Sequence, residues 1–136
     1  MTPELTVLAL AVLLHAAQFA LMAIPANREV GPGKTMSARD RARLGGNLED
    51  LLSERTARLY RALNNHTEWM VPFTAAVLVV TLSGQSTAFT AACAWTYLAA
   101  RVVYVPLYAF GARPGRSIAW MVGFTATVAM AISTLI

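Results

Sequence analysis

The stretch Glu54–Phe73, ERTARLYRALNNHTEWMVPF, begins as an amphipathic helix suited to water and ends in an apolar segment, with no break between the two. Within it, Arg61, Asn65 and Glu68 are spaced i, i+4 and i+7, which places them on one helical face. Trp69 then opens fifteen residues without a charge, which as a helix cover roughly 22 Å of the roughly 30 Å hydrocarbon core. This helix can span a membrane only if Asn65 and Glu68 lie below the surface, where ionisable groups by default mark a functional site.

The composition is that of an integral membrane protein. Of the 136 residues, 57% are hydrophobic and 13% are charged, and the mean hydropathy is +0.52. A membrane barrel would need alternating strands of about ten residues, which the sequence lacks, so helical spans are expected. We predict an all-α, integral membrane four-helix bundle in a single domain, residues 1–136, with spans at about 4–25, 60–83, 86–110 and 117–136. The single cysteine, Cys93, excludes an intrachain disulfide framework and is interpreted as a packing residue.

The first span contains twenty uncharged residues, Leu5–Ile24, followed by Pro25. No basic segment precedes it and no small-residue cleavage pattern follows it, so we expect a retained span rather than a signal peptide. His15 and Gln18 lie near its middle, three residues apart. Hydrogen bonding to another helix is the ordinary explanation for such residues. A metal site would need further ligands nearby, so no metal is predicted.

The positive charges are confined to one side of the predicted bundle. All eleven Lys and Arg residues lie between positions 28 and 61 or at positions 101, 113 and 116, whereas the Gly84–Ser86 turn and both termini carry none. The positive-inside rule therefore predicts that both basic loops are cytoplasmic and both termini outside. This orientation also accounts for the pI near 9.8, so no nucleic-acid partner is predicted. The loop Asn27–Ser53 is expected to face solvent and lipid headgroups with one short helical turn, or alternatively to direct Arg28 into a binding site.

The second and third spans are predicted to be antiparallel neighbours joined by a tight turn. Glu68 lies fifteen residues before Ser83, and Arg101 lies fifteen residues after Ser86. Their side chains are therefore expected at one depth, where opposite charges would offset each other's desolvation. Counting on toward the cytoplasm by the same rule, Asn65 is expected at the depth of Tyr104, and Arg61 at the depth of Tyr108.

Arg116 belongs to the same layer, at the start of the fourth span, and Ser117 is expected to cap that helix. A helix N-terminus with an arginine beside it favours anions. A site for a small anionic ligand, whose reaction partner arrives from the lipid, would then gather six side chains: Arg61, Asn65, Arg101, Arg116, Tyr104 and Tyr108. The alternative is a buried salt-bridge network that orders the bundle, with snorkelling arginines.

Two motifs in this layer resemble those of a known family. RALNNHTEW, from Arg61, resembles the signature arginine-alanine-x-x-asparagine-x-x-glutamate of the MAPEG family, the membrane-associated proteins of eicosanoid and glutathione metabolism. ARVVYVPLYAFGARPGRS, from Ala100, resembles its second signature, an arginine followed by two aromatic positions and a loop arginine-serine pair. Four short helices with the same orientation complete a resemblance that covers nearly the whole chain.

The resemblance implies a homotrimer that binds glutathione between neighbouring subunits, in the cytoplasmic half of the membrane. By the family pattern, Arg116 would act as the catalytic residue that stabilises the glutathione thiolate. A guanidinium beside a thiol of pKa about 8.5 lowers that pKa and so favours the reactive thiolate. The implied glutathione-binding residues are Arg61, Asn65, Glu68, Arg101, Tyr104, Tyr108 and Ser117, and the additional candidates are Arg28, Asn64 and Arg113.

We therefore predict a membrane enzyme that uses glutathione as a co-substrate and no metal, either a transferase acting on lipophilic electrophiles or a peroxidase acting on lipid hydroperoxides. Its partners would be copies of itself, the lipophilic substrate and membrane lipids. Two other classes stay open: a non-catalytic binding or scaffold protein of the same fold, and a small proton-coupled transporter with Glu68 as its carrier. Pairing of Glu68 with Arg101 would argue against the transporter, because a neutralised carboxylate is harder to protonate.

Overall fold

The computed structural model describes all residues, 1–136, as a helical chain without strands. This confirms the predicted all-α class. In chain order the elements are α1 (Pro3–Val30), α2 (Pro32–Thr35), α3 (Arg41–Leu44), a 3-10 turn (Leu48–Leu51), α4 (Glu54–Leu82), α5 (Ala88–Ala109) and α6 (Gly115–Ile132).

Three of the four long helices, α1, α5 and α6, are long and apolar enough to cross a membrane. The chain is therefore an integral membrane protein. Helix α4 does not meet the same requirement, because its first half is polar and only fourteen of its residues, all uncharged, follow Glu68. Its crossing of the membrane, and with it the complete set of four spans, stays a prediction.

Helix α1 continues past the predicted end of the first span at Pro25. A proline inside a helix removes one backbone donor, and the flanking hydrogen bonds can carry the helix onward. The helix ends instead at Gly31, whose φ of +88° is a conformation that favours glycine. The N–H of Gly31 donates to the carbonyl oxygen of Asn27 at 3.0 Å.

The segment between α1 and α4 is more ordered than the single helical turn that was predicted. It contains α2, α3 and the 3-10 turn. The Glu29 carboxylate accepts hydrogen bonds from the Ser53 N–H (2.7 Å), the Ser53 hydroxyl (2.8 Å) and the Thr56 hydroxyl (2.6 Å). Ser53 in turn caps α4 by accepting from the Thr56 N–H. These bonds fasten the end of α1 to the start of α4.

The end of the bundle that holds both chain termini contains the main core. Twelve buried residues from the four long helices pack together there, including Cys93, as predicted. The rings of Phe73 and Tyr97 stack with centroids 3.7 Å apart. Glu4, which is 0% exposed, accepts hydrogen bonds from the hydroxyls of Ser86 (2.8 Å) and Thr90 (2.5 Å) and so ties α1 to the start of α5.

A polar contact joins α1 to α4 near the middle of the bundle. Gln18 Nε2 lies 2.5 Å from His66 Nδ1, and the rings of His15 and His66 meet edge to face with centroids 5.4 Å apart. The predicted hydrogen bond from the first helix to another helix is thus confirmed for Gln18, whereas Nδ1 of His15 has no partner. Together with the core, this contact fixes the rotation of α4, which sets the direction of its polar residues.

Candidate functional site

A polar pocket of about 340 Å³ opens at the end of the bundle that carries the basic loops. The first turns of α4 form one wall, and the connection from α5 to α6 forms the other. Its lining contains four arginines and one carboxylate. The residues that line it are Glu54, Arg58, Arg61, Tyr108, Gly111, Arg113 and Arg116. Because positive charge exceeds negative charge, the pocket attracts anions.

Arg58 was not predicted as a site residue, and two contacts place it in the pocket. Its Nη2 atom lies 2.7 Å from Oε1 of Glu54, one helical turn earlier on α4. A Cβ atom at Gly111 would come within 2.9 Å of Nη1 of Arg58. Glycine at this position, with φ of +69°, therefore allows both the turn and the close approach of the guanidinium. The spacing of Arg58 three residues before Arg61 could have indicated that the two share a helical face.

Arg61 lies in the pocket as predicted, and it is paired with a carboxylate from the preceding loop. Glu49, on the 3-10 turn, forms an ion pair with Nη1 of Arg61. Both side chains are partly exposed, at 42% for Arg61 and 34% for Glu49. No pattern in the sequence indicates this contact, because the two residues are twelve positions apart and the chain changes direction between the 3-10 turn and α4, at Leu52 and Ser53.

Arg116 lies at the start of α6, between the polar pocket and a second, adjoining one. Its guanidinium carbon is 4.9 Å from the ring centroid of Tyr108, and the rings of Tyr108 and Tyr104 have centroids 5.3 Å apart. The second pocket, of about 260 Å³, is lined by Tyr104, Tyr108, Arg116, Ser117 and Trp120. The predicted cap at Ser117 is wrong, because α6 begins at Gly115 and Ser117 lies inside its first turn, donating its N–H to the Pro114 carbonyl at 2.9 Å.

Arg101 lies behind these pockets and is only 1% exposed. Its Nη1 atom donates to Oδ1 of Asn65 at 3.0 Å. Its guanidinium carbon is 5.1 Å from the ring centroid of Tyr97 and 5.7 Å from that of Tyr104. The polar faces of α4 and α5 are therefore in contact, but the residue of α4 that meets Arg101 is Asn65 rather than Glu68.

The expected pairing of Glu68 with Arg101 is wrong. Glu68 is exposed on the outer side of α4, and no carboxylate oxygen lies within 4.0 Å of the Arg101 guanidinium. Residues three apart on a helix differ in direction by about 60°, so the rotation that turns Asn65 toward α5 turns Glu68 away from it. The objection to Glu68 as a proton carrier, which depended on this pairing, no longer applies.

The remaining candidates are distributed as follows. Arg113 lines the polar pocket, whereas Arg28 and Asn64 are exposed and line neither pocket. Trp120 is a lining residue that the sequence reasoning missed, although its position four residues after Arg116 places both on one face of α6. The structure thus brings the start of the first motif to the second half of the second motif: Arg61 lines one pocket with Tyr108, Arg113 and Arg116, and Ser117 lines the adjoining pocket.

The comparison with protein families agrees with the resemblance seen in the sequence. A sequence model of the MAPEG family matches residues 5–136, which is essentially the whole chain. Neither the curated proteins nor the solved structures gave a match.

Proposed function

The chain belongs to the MAPEG family, and from this premise and the geometry of the pocket we propose that it is a glutathione-dependent membrane enzyme. The proposed activity is transfer of glutathione to lipophilic electrophiles or reduction of lipid hydroperoxides, through a thiolate that Arg116 stabilises. The observation that carries the proposal is the position of Arg116, which lines both the cationic pocket and the adjoining pocket that contains Tyr104, Ser117 and Trp120.

The charges of the polar pocket suit glutathione. The tripeptide has two carboxylates and one ammonium group, and its thiolate form carries one more negative charge. Arg58, Arg61 and Arg113 supply guanidinium donors of the kind that bind carboxylates in bidentate fashion. Glu54, whose carboxylate also pairs with Arg58, supplies the negative charge that the ammonium group requires. The volume of about 340 Å³ lies at the lower end of the usual range for small-molecule sites.

Arg116 is placed to act on the thiol. It lies at the N-terminus of the 18-residue helix α6, where the helix dipole adds to the charge of its guanidinium. Both favour the thiolate over the thiol and so increase the population of the reactive form at neutral pH. Ser117 and Tyr108, on either side of Arg116, supply hydroxyl donors for the sulfur.

Buried Arg101 takes an indirect part in this proposal. Its hydrogen bond to Oδ1 of Asn65 fixes the amide of that residue. Asn65 is half-buried and lines neither pocket, so its Nδ2 donor would meet a ligand only if the ligand extends beyond them. Arg101 is thus a positioning residue, and Tyr104 lines the site beside it.

The exposed polar residues of α4 support the proposed homotrimer with sites between subunits. Glu68 and Asn64 are both exposed at the level where α4 would enter the bilayer. Contact between a carboxylate and acyl chains is costly, so a neighbouring copy that covers this face would remove the cost. It would also bring Glu68 to glutathione bound at the junction. The proposed topology keeps both basic loops in the cytoplasm and both termini outside.

The test is the near-ultraviolet absorbance of the thiolate when glutathione is added to the purified protein at neutral pH. The wild type should show a rise that saturates with glutathione, and Arg116→Ala should abolish it. Arg43→Ala is the matched control, because Arg43 is an exposed arginine of the other basic loop outside both pockets. An equal signal from Arg116→Ala would remove Arg116 from its role. Binding of glutathione by the wild type without a thiolate signal would favour the scaffold protein.

A second candidate, a proton-coupled transporter, is favoured by one observation. Glu68 is exposed and has no cationic partner in the protomer, as a carboxylate that takes up and releases protons requires. Purified protein in proteoliposomes should then drive substrate accumulation under a proton gradient, and Glu68→Gln should abolish it. Equal transport by the variant would exclude this role.

A further inference from the structure

A third pocket lies between the end of α1 and the segment that connects α1 to α4. Its volume is about 170 Å³, and it shares no residue with the two pockets of the proposed glutathione site. We call it the interfacial pocket. Residues of α1 form one wall and residues of the connecting segment form the other. The lining residues are Phe19, Met22, Ala23, Ala26, Asn27, Thr35, Met36, Arg39 and Leu48.

The interfacial pocket crosses the level at which hydrocarbon gives way to headgroups. Phe19 and Ala23 belong to the uncharged run of α1, whereas Asn27 and Arg39 lie beyond that run, on the side of the basic loops. From Phe19 to Asn27 the wall covers roughly 12 Å along the helix axis. Phe19 is 55% exposed although it lies within the span, so its ring is open to the bilayer. One end of the pocket is therefore apolar and the other polar.

Arg39 supplies the charge of the interfacial pocket. Its Nε atom donates to the Thr35 carbonyl oxygen at 3.1 Å. Its two Nη groups make no hydrogen bond in the protomer, and no carboxylate lies within 4.0 Å of them. The φ of Arg39 is +60°, which is unusual for a residue other than glycine, and such strain is typical of residues at binding sites. The backbone bond thus orients the guanidinium and leaves its Nη donors to a ligand.

Two further cations lie next in sequence to lining residues at the polar end. Arg28 follows Asn27 on α1, and Lys34 precedes Thr35 on α2. Both are exposed, and neither has a carboxylate within 4.0 Å. These unpaired charges add to the attraction of anionic headgroups.

We infer that the interfacial pocket binds an anionic phospholipid from the leaflet on the side of the basic loops. The Nη groups of Arg39 donate to the phosphate oxygens, a contact that the planar guanidinium makes in bidentate fashion. The glycerol and the first acyl carbons lie over Met22 and Ala23, and the chain continues past Phe19 into the bilayer. Basic pockets at the ends of membrane helices commonly bind anionic headgroups.

Other occupants fit the lining less well. A free phosphate would use Arg39 but leave in water the apolar side chains that make up six of the nine lining residues. A second copy of the chain would have to place a carboxylate against Arg39. A phospholipid surrounds every membrane helix at this depth, and its phosphate and acyl chain follow in the same order as the polar and apolar ends of the pocket.

Met36 supports the same assignment. It is 84% exposed in a polar segment and lines the pocket beside Arg39. A large apolar side chain left in water forgoes the free energy of burial. An acyl chain in the pocket would cover it, so the lipid accounts for both the unpaired cation and the exposed methionine.

Native mass spectrometry of delipidated protein in a neutral detergent measures the binding. The wild type should bind one phosphatidylglycerol per protomer, with a Kd roughly tenfold below that for phosphatidylcholine with the same acyl chains. Arg39→Gln should reduce this preference to less than about threefold, and Arg39→Lys, which keeps the charge, should retain part of it. Equal Kd values for the two lipids in the wild type would overturn the inference.

Arg43→Gln is the matched control for charge. It removes the same charge from the same connecting segment, at an exposed residue outside the pocket, and it should keep the wild-type preference. An equal loss in Arg43→Gln and Arg39→Gln would show a general attraction of the basic loop for anions and would overturn the site.

Inorganic phosphate distinguishes the lipid from a soluble anion. A large excess of phosphate should leave phosphatidylglycerol bound, because only the lipid gains from the apolar wall. Displacement of the lipid would identify a phosphate site and overturn the assignment.

Ala23→Leu tests the apolar end without changing the charge. The larger side chain fills space that the acyl carbons would occupy and should weaken phosphatidylglycerol binding roughly fivefold. Ala17→Leu is the matched control, since Ala17 is exposed on α1 outside the pocket. Equal affinities in these two variants would overturn the inference, and this comparison stands whether or not Arg39→Gln folds. None of these measurements requires glutathione, so their outcome is separate from that of the proposed function.

Discussion

Replacing Asn65 with alanine should destabilise the protein, because Asn65 is the hydrogen-bonding partner of a buried charge. Arg101 is 1% exposed, has no carboxylate within 4.0 Å, and donates to Oδ1 of Asn65 at 3.0 Å. A hydrogen bond to a charged group contributes about 1.5–3 kcal/mol. Asn65→Ala should therefore lower the free energy of unfolding by about that amount.

A second substitution isolates this interaction. In Arg101→Met, an apolar side chain of similar length replaces the buried guanidinium, so that no charge at this position depends on the hydrogen bond to Asn65. In the Arg101→Met background, Asn65→Ala no longer leaves a buried charge without its hydrogen-bonding partner. It should then lower the free energy of unfolding by no more than about 0.5 kcal/mol. The coupling energy between the two positions, from the double-mutant cycle, should therefore be at least about 1 kcal/mol.

The assay uses the single cysteine. Cys93 is 8% exposed within the core at the other end of the bundle, so its reaction with a thiol-reactive fluorophore during heating reports unfolding. Asn65→Ala should lower the midpoint by about 4–10 °C. Asn64→Ala is the matched control, since its side chain is exposed and makes no hydrogen bond in the protomer, and should shift the midpoint by less than about 2 °C.

Two results would refute this reasoning. If Asn65→Ala and Asn64→Ala melted together, the bond to Arg101 would not stabilise the fold. If Asn65→Ala were equally damaging with arginine or methionine at position 101, the effect would not come from the buried charge.

Three further predictions concern other contacts in the same purified protein. Glu4→Ala should lower the free energy of unfolding by about 2–4 kcal/mol, because it leaves the hydroxyl donors at the start of α5 without an acceptor. The control is Glu54→Ala, which should change the free energy by less than about 0.5 kcal/mol because the side chain of Glu54 is 79% exposed. Equal melting shifts in the two variants would contradict this prediction. Glu49→Gln releases Arg61 from its internal ion pair and should tighten glutathione binding by about two- to fivefold in calorimetry, so an unchanged Kd would show that the pair does not compete with the ligand. Gly123→Ala should be tolerated, because its Cβ would lie 3.6 Å from the nearest side-chain atoms. Gly123→Leu should lower the free energy of unfolding by about 1–3 kcal/mol, because the larger side chain overpacks the core. Equal melting temperatures for the two variants would show that α6 can shift to make room.

Much of the fold could be predicted from the sequence because membrane helices follow from local information. Long uncharged runs cannot satisfy their backbone groups in lipid except as helices, so α1, α5 and α6 were found, with ends within a few residues of those observed. The longest error, at the end of α1, arose because Pro25 was interpreted as a stop whereas Gly31 ends the helix. The segment between α1 and α4 was less predictable, since its short helices depend on side-chain contacts such as those of Glu29 with Ser53.

The candidate site was predicted in part. Helical spacing placed Arg61 and Tyr108 at one level, and the structure brings them to one pocket. Spacing does not give the rotation of one helix against another, and that rotation decided that Asn65, and not Glu68, meets Arg101.

The sequence by itself determined the helical class, the membrane character and the set of polar residues at one depth, because each follows from hydrophobicity and helical period along a single segment. Only the tertiary structure decided which member of each polar face points inward, that Glu49 pairs with Arg61, and that Trp120 lines a pocket with Arg116. These features depend on how helices rotate to pack their small and large side chains against each other, and on where a loop of many possible conformations folds back. Both are settled by contacts between residues far apart in the chain, which no local pattern contains.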